Sequence, residues 1–388
     1  MSDSIPSELF VHLLQALSVV QDPRCPRGRL HLLQDVLCIC VLSVLCGCQN
    51  AEEMQDWGRK EEPWLRTFLS LPHGIPSQDT YLRVLAALDP QQFRNAFAAW
   101  VSQVLAPLGF AAQVAIDGKT SRGSGSTLRG QSPVHLVSAL ACDWGLVLGQ
   151  TRTADKSNEI VAIPQLLRAL NLQGALVTID AMGCQRDIAQ QIVEQKADYL
   201  LQVKGNQPAL LQEVESVFEA AASRAAAPLD QVPPPVLESY QQTDGDHGRI
   251  EVRTTQVCHD FADYLGTSQR WIGLRTVVRV TCQREDKATG KSSREEHYYI
   301  SSRHLGAQQA GEAVRKHWLI ENQLHWTLDV SFGEDACPVR ARLGAENLAL
   351  VRHFAFNLLR GYRGDRHSIP RRQRLCDWDL AYRLKVLQ

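Results

Sequence analysis

Three acidic residues carry the chemistry this sequence suggests most strongly: Asp117 closing the apolar run VAID, Asp180 closing LVTID, and Glu321 inside HWLIENQLHW. Carboxylates on separate elements but aimed at one point are what a pair of divalent cations needs, and two-metal sites are a standard device for cutting phosphodiesters. Magnesium prefers oxygen ligands and keeps several waters, so two or three carboxylates plus substrate phosphate oxygens suffice, with no Cys or His ligand. Taken singly, each residue has a simpler explanation. Asp117 before Gly118 fits a turn, Asp180 fits a helix N-cap, and Glu321 fits an ion pair with Arg315 or Lys316. Their joint placement in one order of elements is what raises them above those explanations. Asp329, Glu334 and Asp335 follow Glu321 closely, so the residues alone leave the third ligand open. Lys204 and Asn206 in VKGNQ stand just after a strand and could meet a phosphate, or simply form a turn. Lys119, Arg249 and His325 are further candidates for touching a nucleic acid, although a core histidine bonded to a neighbour explains His325 equally well.

These residues need elements to position them. Residues 8 to about 105 repeat apolar positions at threes and fours and predict a small all-helical domain, with Ser77 able to cap the helix in IPSQDTYLRVL. After Pro107 and Gly109 the rhythm shifts to short β-type runs, QVAID, HLVSALACD and GLVLGQTRT, expected to be three neighbouring antiparallel strands. A helix follows over KSNEIVAIPQLLRAL, with Ser157 or Asn158 as its cap and Pro164 bending or delaying it. Then come a strand (ALVTID), a helix (QRDIAQQIVEQK) and a strand (DYLLQVKG). Three strands, helix, strand, helix, strand is the element order of a ribonuclease-H-like α/β core, a mixed sheet with flanking helices. In that topology the first and fourth strands are neighbours, which would bring Asp117 and Asp180 together. The run from about 209 to 305 reads as a β-rich insertion after a Pro233-Pro234-Pro235 hinge. From Gly311 to about Phe332 the chain returns to helix, and Trp318, Glu321, His325, Leu328 and Phe332 share one face expected to dock on the sheet. The expected domains are 1–108 (helical), 109–208 (core, first part), 209–305 (insertion), 306–360 (core, second part) and 361–388 (a basic tail).

Composition bounds the rest. At 388 residues and 44% hydrophobic content the chain can bury a large core and should form two or three domains. Its net charge of −1 hides an asymmetry, because residues 340–388 hold 11 Lys/Arg against 4 Asp/Glu. A basic end on a near-neutral protein suggests contact with a polyanion, or a solvated tail with no partner. The N-terminus lacks a secretory pattern, and Gln34 and Asp35 interrupt the most apolar stretch, so a cytoplasmic location and no membrane partner are expected. Eleven cysteines in such a chain argue for reduced thiols. The pairs Cys38/Cys40 and Cys46/Cys48 are too closely spaced for ordinary zinc ligation and read as buried structural residues.

The strings IPSQDTYLRVL, AIDGKTSRGS, KSNEI, LVTIDAMGCQ, YLLQVKGNQ, HGRIEVR and HWLIENQLHWTLDVSFGEDA together resemble the H-repeat-associated transposases, a group of bacterial insertion-sequence DDE transposases. The resemblance covers roughly residues 10–360, with the motifs in the family's order. It implies a helical transposase-associated domain ahead of a ribonuclease-H-like core interrupted by a β-rich insertion. By motif, the catalytic and metal-binding carboxylates fall on Asp117, Asp180 and Glu321. The implied cofactor is two Mg²⁺ ions, for which Mn²⁺ can substitute. The implied substrate is double-stranded DNA, both element ends and target, held by a homodimer in the synaptic complex, with a nucleoid-associated location. His317 and Leu328 stand where related transposases carry an Arg and a Lys around the Glu, so DNA-positioning roles attached to that pair do not transfer.

Other readings compete. Gly118-Lys119-Thr120 resembles the end of a phosphate-binding loop, but the first glycine of that motif would fall on Gln113, which argues against a nucleotidase. A metal-dependent nuclease without strand transfer would use the same carboxylates. An inactive or domesticated DNA-binding relic would not need them.

Overall fold

The computed structural model describes residues 8–27, 29–106, 108–109, 111–126, 130–153, 159–222, 235–245, 248–267 and 270–388. Helices α1 (Glu8–Ser18), α2 (Leu33–Leu45), α3 (Ala51–Leu65), α4 (Gln78–Ala87) and α5 (Pro90–Leu105) open the chain. Then follow β1 (Gln113–Ser121), β2 (Val134–Ala141), β3 (Leu146–Thr153), α6 (Glu159–Arg168), β4 (Leu176–Ile179), α7 (Arg186–Glu194) and β5 (Asp198–Val203). Next come α8 (Pro208–Ala222), β6 (Leu237–Asp244), β7 (Arg249–Cys258), β8 (Thr276–Asp286), β9 (Ser292–Ser301) and α9 (Ala307–His317). A π-helical segment, Ile320–His325, leads into α10 (Trp326–Val330), α11 (Arg342–Gly361), α12 (Ile369–Trp378) and α13 (Leu380–Val386). The Ser157 and Asn158 caps expected for α6, and most of the proline hinge, lie outside the described residues.

Two units divide these elements: residues 1–109, 118–158 and 320–388 form the first, and 110–117 with 159–319 the second. In the first unit, α11 is the axis. It is buried continuously from Gly344 to Leu359, polar residues included. Phe354 meets Phe93, Phe97 and Trp100 at ring-centroid distances of 5.7, 4.8 and 5.1 Å. The polar residues on α11 are spent on backbone groups that would otherwise be orphaned. Asn347 Nδ2 donates to the carbonyls of Leu85 (2.8 Å) and Leu88 (3.0 Å) at the end of α4, and Asn357 bonds both backbone groups of Val147. The apolar stretch around Cys38 and Cys40 is the buried helix α2, and both thiols are fully enclosed. No described helix is long and apolar enough to cross a membrane.

Mixed pairing organises the strands in the order β3-β2-β1-β4-β5-β9-β8-β7-β6, and β1 runs through both units. In the second unit β1 and β4 are parallel, as are β4 and β5, while β5 pairs antiparallel with β9. Strands from the stretch expected as an insertion therefore continue the same sheet. That edge-to-edge continuation rests on backbone groups of β5 and β9, about a hundred residues apart, which no local pattern reveals. Helix α9 presents Ala307, Ala310 and Ala313 to Leu176, Val257, Val278 and Tyr299. Those small residues allow close approach: a Cβ on Gly311 would lie 2.7 Å from Thr255 Oγ1. Strand β6 ends the order and alternates half-buried and exposed residues.

A difference from expectation concerns residues 361–388. They form α12 and α13 rather than a loose tail, and Arg372 and Arg383 are 6% and 1% exposed. Arg383 Nη1 lies 2.7 Å from Glu61 Oε2, its Nε donates to Cys376 O at 2.7 Å, and its guanidinium covers the Trp64 ring. Part of the basic excess is thus internal pairing, whereas Arg363, Arg366, Arg371 and Arg374 remain exposed.

Candidate active site

Asp117 and Asp180 each follow a run of apolar residues that buries both faces of a strand, Val114–Ile116 in β1 and Leu176–Ile179 in β4. Parallel pairing of Ile116 with Ile179 places the two aspartates one residue beyond the last matched pair, Asp117 inside β1 and Asp180 just after β4. Adjacent strands lie about 4.8 Å apart, so carboxyls there can face a single ion. Both residues are half-buried. Asp180 caps a 3-10 turn, its Oδ1 accepting from the N–H of Met182 (3.1 Å) and Gly183 (3.4 Å). That turn sits tightly against α6 and β4, since a Cβ on Gly183 would meet Ile163 Cδ1 at 3.1 Å and overlap Ile179. Burial, and then the negative charge of Glu159, push the Asp180 carboxyl above its usual range; the two N–H groups and Lys204 pull it back.

Glu159 is a participant that the residues did not single out. It is 8% exposed at the start of α6, and the only signal for it was its place in KSNEI, 21 positions ahead of Asp180. Lys204 is exposed just after β5 and acts on Asp180, whereas Asn206 Nδ2 donates to Ala181 O at 2.7 Å and so ties its loop to the Asp180 turn. Arg249 is exposed at the start of β7, four places from β4 in the strand order. His317 is half-buried against β4, its ring nitrogen 3.0 Å from Thr178 Oγ1.

Glu321 belongs to the first unit and is exposed on the π-helical segment. Here the expected shared face is broken: Leu328 and Phe332 are buried at 2% each, but Trp318 is 47% exposed. The cause is the turn itself. A π-helix bonds i to i+5, so the wider turn rotates side chains away from the three-and-four rhythm; such segments are rare and recur at functional sites. Arg360 on α11 secures it through Nη2 to Gln323 Oε1 at 2.6 Å.

Lys119 is enclosed rather than presented to solvent, its side chain 9% exposed. Its Nζ lies 2.7 Å from Asp329 Oδ1, 2.8 Å from Glu334 Oε2 and 3.6 Å from Asp335 Oδ1. Arg352 Nη1 reaches the other Glu334 oxygen at 3.4 Å. Burial raises the Glu334 carboxyl, but Lys119 and Arg352 together hold it below the usual range. His325 lies among Lys119, Glu334, His353 and His135.

Burial keeps three histidines neutral, with His317 and His353 lowered to about 4 and His325 to about 3. Between the ordinary value of about 6.5 and these folded values the unfolded chain binds more protons, so stability present at neutral pH is lost as pH falls through that window. The fall for His353 alone corresponds to about 3 kcal/mol on full protonation. The urea midpoint is expected to drop steeply from pH 7 to pH 4.5, and His353→Gln to lessen the drop; an equal drop in the variant would exclude His353 as a source.

As to metal, Asp117 and Asp180 offer hard oxygen donors, and the charge crowding between Asp180 and Glu159 is of the kind a cation relieves. Among the described residues, no group of three or more His, Cys, Asp or Glu side chains is arranged to hold an ion. The described side chains therefore fit magnesium only as a partial shell, with water and phosphate oxygens supplying the rest.

Residues 14–101 match the family described as DDE_Tnp_1-associated, and residues 109–358 the family described as Transposase DDE domain. The chain belongs to the DDE-domain transposases, in their H-repeat-associated group. It is 37% identical over 379 residues to the putative transposase YncI of Escherichia coli O157:H7, covering 97% of this chain and 94% of that protein. It is 35% identical over 377 residues to the H repeat-associated putative transposase YhhI of Escherichia coli strain K12, covering 97% of each. Over 74 residues, 19% of this chain and 88% of the relative, it is 28% identical to the inactive transposase YbfQ of the same strain. A solved piggyBac transposase synaptic complex with hairpin DNA aligns over 98% of this chain and 78% of its own, at 10% identity and a TM-score of 0.41.

Proposed function

We propose that this transposase cuts DNA at the ends of an insertion sequence and joins the freed 3′-hydroxyl to target DNA, using a ribonuclease-H-like core. The observation that carries the reading is the parallel pairing of β1 with β4, which sets Asp117 beside Asp180 within the order β3-β2-β1-β4-β5. Asp117, Asp180 and Glu321 would hold divalent metal, two Mg²⁺ ions, with water and DNA phosphate oxygens supplying the remaining ligands. When bound, the ions lower the pKa of the attacking oxygen and stabilise the leaving oxygen. The N–H groups of Met182 and Gly183 keep the Asp180 carboxylate oriented, and Asn206 holds that turn to the loop after β5. Lys204, beside them, is suited to a DNA phosphate. The exposed arginines of α12 and the segment before it would grip the backbone, and paired ends imply at least a homodimer.

The test uses the purified chain with a duplex carrying an element end. Cleavage that needs Mg²⁺ or Mn²⁺ and stops with EDTA is expected, followed by joining of a pre-cut 3′-hydroxyl end into target DNA. Cleavage without joining would reduce the protein to a nuclease. Binding without either would make it a relic, an inactive transposase as the YbfQ relative is named.

A further inference from the structure

The carboxylates proposed above sit on chain segments that must be held in fixed register, and within the first unit the structure shows what fastens the stretch of β1 just past Asp117 to the segment that follows Glu321. Lys119 lies on β1 two residues beyond Asp117, and residues two apart on a strand point to the same face. Its ammonium is enclosed by Asp329, Glu334 and Asp335, which lie 8 to 14 positions past Glu321. Glu334 is 2% exposed at its side chain and is shared between Lys119 and Arg352 of α11. Two backbone contacts reinforce the same joint. The Arg122 N–H donates to Asp335 Oδ1 at 3.0 Å, and a Cβ on Gly123 would fall 2.5 Å from Cys337 O, so only glycine permits that approach. Helix α11 supplies Arg352 to Glu334 and Arg360 to Gln323, and thus fastens the stretch from the π-helical segment to Glu334 at both ends.

A buried charged joint is a poor way to gain stability, because apolar residues of similar volume do as well or better. What charge supplies is direction: opposed groups at 2.7 to 2.8 Å fix register to a few tenths of an ångström. Sites for metal-assisted chemistry require that precision, since first-contact groups must be held within about 0.5 Å.

We propose that Lys119 and Glu334 are positioning residues of the metal-dependent site, their buried ion pair locking the stretch of β1 immediately after Asp117 to the segment that follows Glu321 within the first unit. This rests on the function proposed above. It also gives Lys119 an occupation other than gripping DNA.

The experiment compares the full wild-type chain with Asp117→Ala, Glu334→Asp and the double variant Lys119→Met/Glu334→Gln, which removes both charges of the pair and leaves Arg352 a neutral amide oxygen in place of the carboxylate. Three quantities are read: Mn²⁺ binding from the free-ion EPR signal, single-turnover cleavage of the end-bearing duplex, and duplex affinity by anisotropy. The double variant is expected to melt cooperatively and bind duplex as wild type does. It should need at least about tenfold more Mn²⁺ for half-saturation and cleave at least about 100-fold more slowly, a loss of about 2.7 kcal/mol in the barrier difference. Glu334→Asp keeps the charge but withdraws it by one methylene, and an intermediate loss is expected. A double variant that binds Mn²⁺ and cleaves like wild type overturns the proposal. If the double variant does not fold, Glu334→Asp decides in the same way. Failure of the underlying reading looks different: wild type that binds no Mn²⁺, or Asp117→Ala that cleaves at the wild-type rate.

Discussion

Asp117→Ala should abolish metal-dependent cleavage, lowering the single-turnover rate at least about 10³-fold, or about 4 kcal/mol of transition-state stabilisation. Asp117 is half-buried in the middle of β1, one residue past the Ile116–Ile179 pair and beside Asp180, so its loss removes one of the two carboxylates proposed to meet the metal from paired strands. Duplex affinity should hold or rise, because one negative charge facing a polyanion is gone. A quantitative gel assay with Mg²⁺ and again with Mn²⁺ decides the matter; wild-type rates in both ions would sink the mechanism. Asp180→Asn adds a sharper contrast. Asn preserves an oxygen that can accept from Met182 and Gly183, but removes a charge that burial and Glu159 disfavour. The variant should therefore be inactive yet melt no lower than wild type, the usual signature of a group kept for function at the expense of stability.

Deleting residues 361–388 should unfold the first unit rather than merely weaken a polyanion contact. The deletion strips Arg383 from Glu61, and breaking such an enclosed pair costs about 3 kcal/mol. It also removes Cys376, Val386 and Leu387, buried at 0%, 2% and 2%, each worth about 1.5 kcal/mol or more. Together these approach the whole of a typical domain's stability, about 5–15 kcal/mol. Loss of a cooperative melt and rapid proteolysis within 1–109 are expected; an unchanged melt would restore the view of this end as a passive tail. The phosphate grip is better tested by changing Arg363, Arg366, Arg371 and Arg374 to Gln, which leaves the internal pairs intact. That variant should flatten the salt dependence of DNA binding by up to about 3 to 4 units of log–log slope.

These two cases also mark what could be read from the residues. VAID and LVTID are short apolar runs ending in Asp that read as strands, and the order of three strands, helix and strand led to the neighbouring placement seen for β1 and β4. The buried arginines escaped notice for the opposite reason. Lys and Arg are almost never enclosed unless paired, and Glu61, the partner of Arg383, lies over 300 residues away. The face expected to hold Glu321 is broken, since a π-turn leaves no mark on a search for threes and fours. Lys119 looked like a surface cation because its three carboxylates, some 210 positions further on, become neighbours only after folding.

Strand β6 has one ladder side with no further strand in the order, yet it carries Glu238, Gln241, Gln242 and Asp244, and Asp244 is tethered by Arg253 and Arg315. A border so polar is a bad template for recruiting another chain by strand addition. Copies of this protein that accumulate in a cell should accordingly resist fibrillar stacking along this border, and any pairing needed on DNA must be built from side-chain surfaces elsewhere.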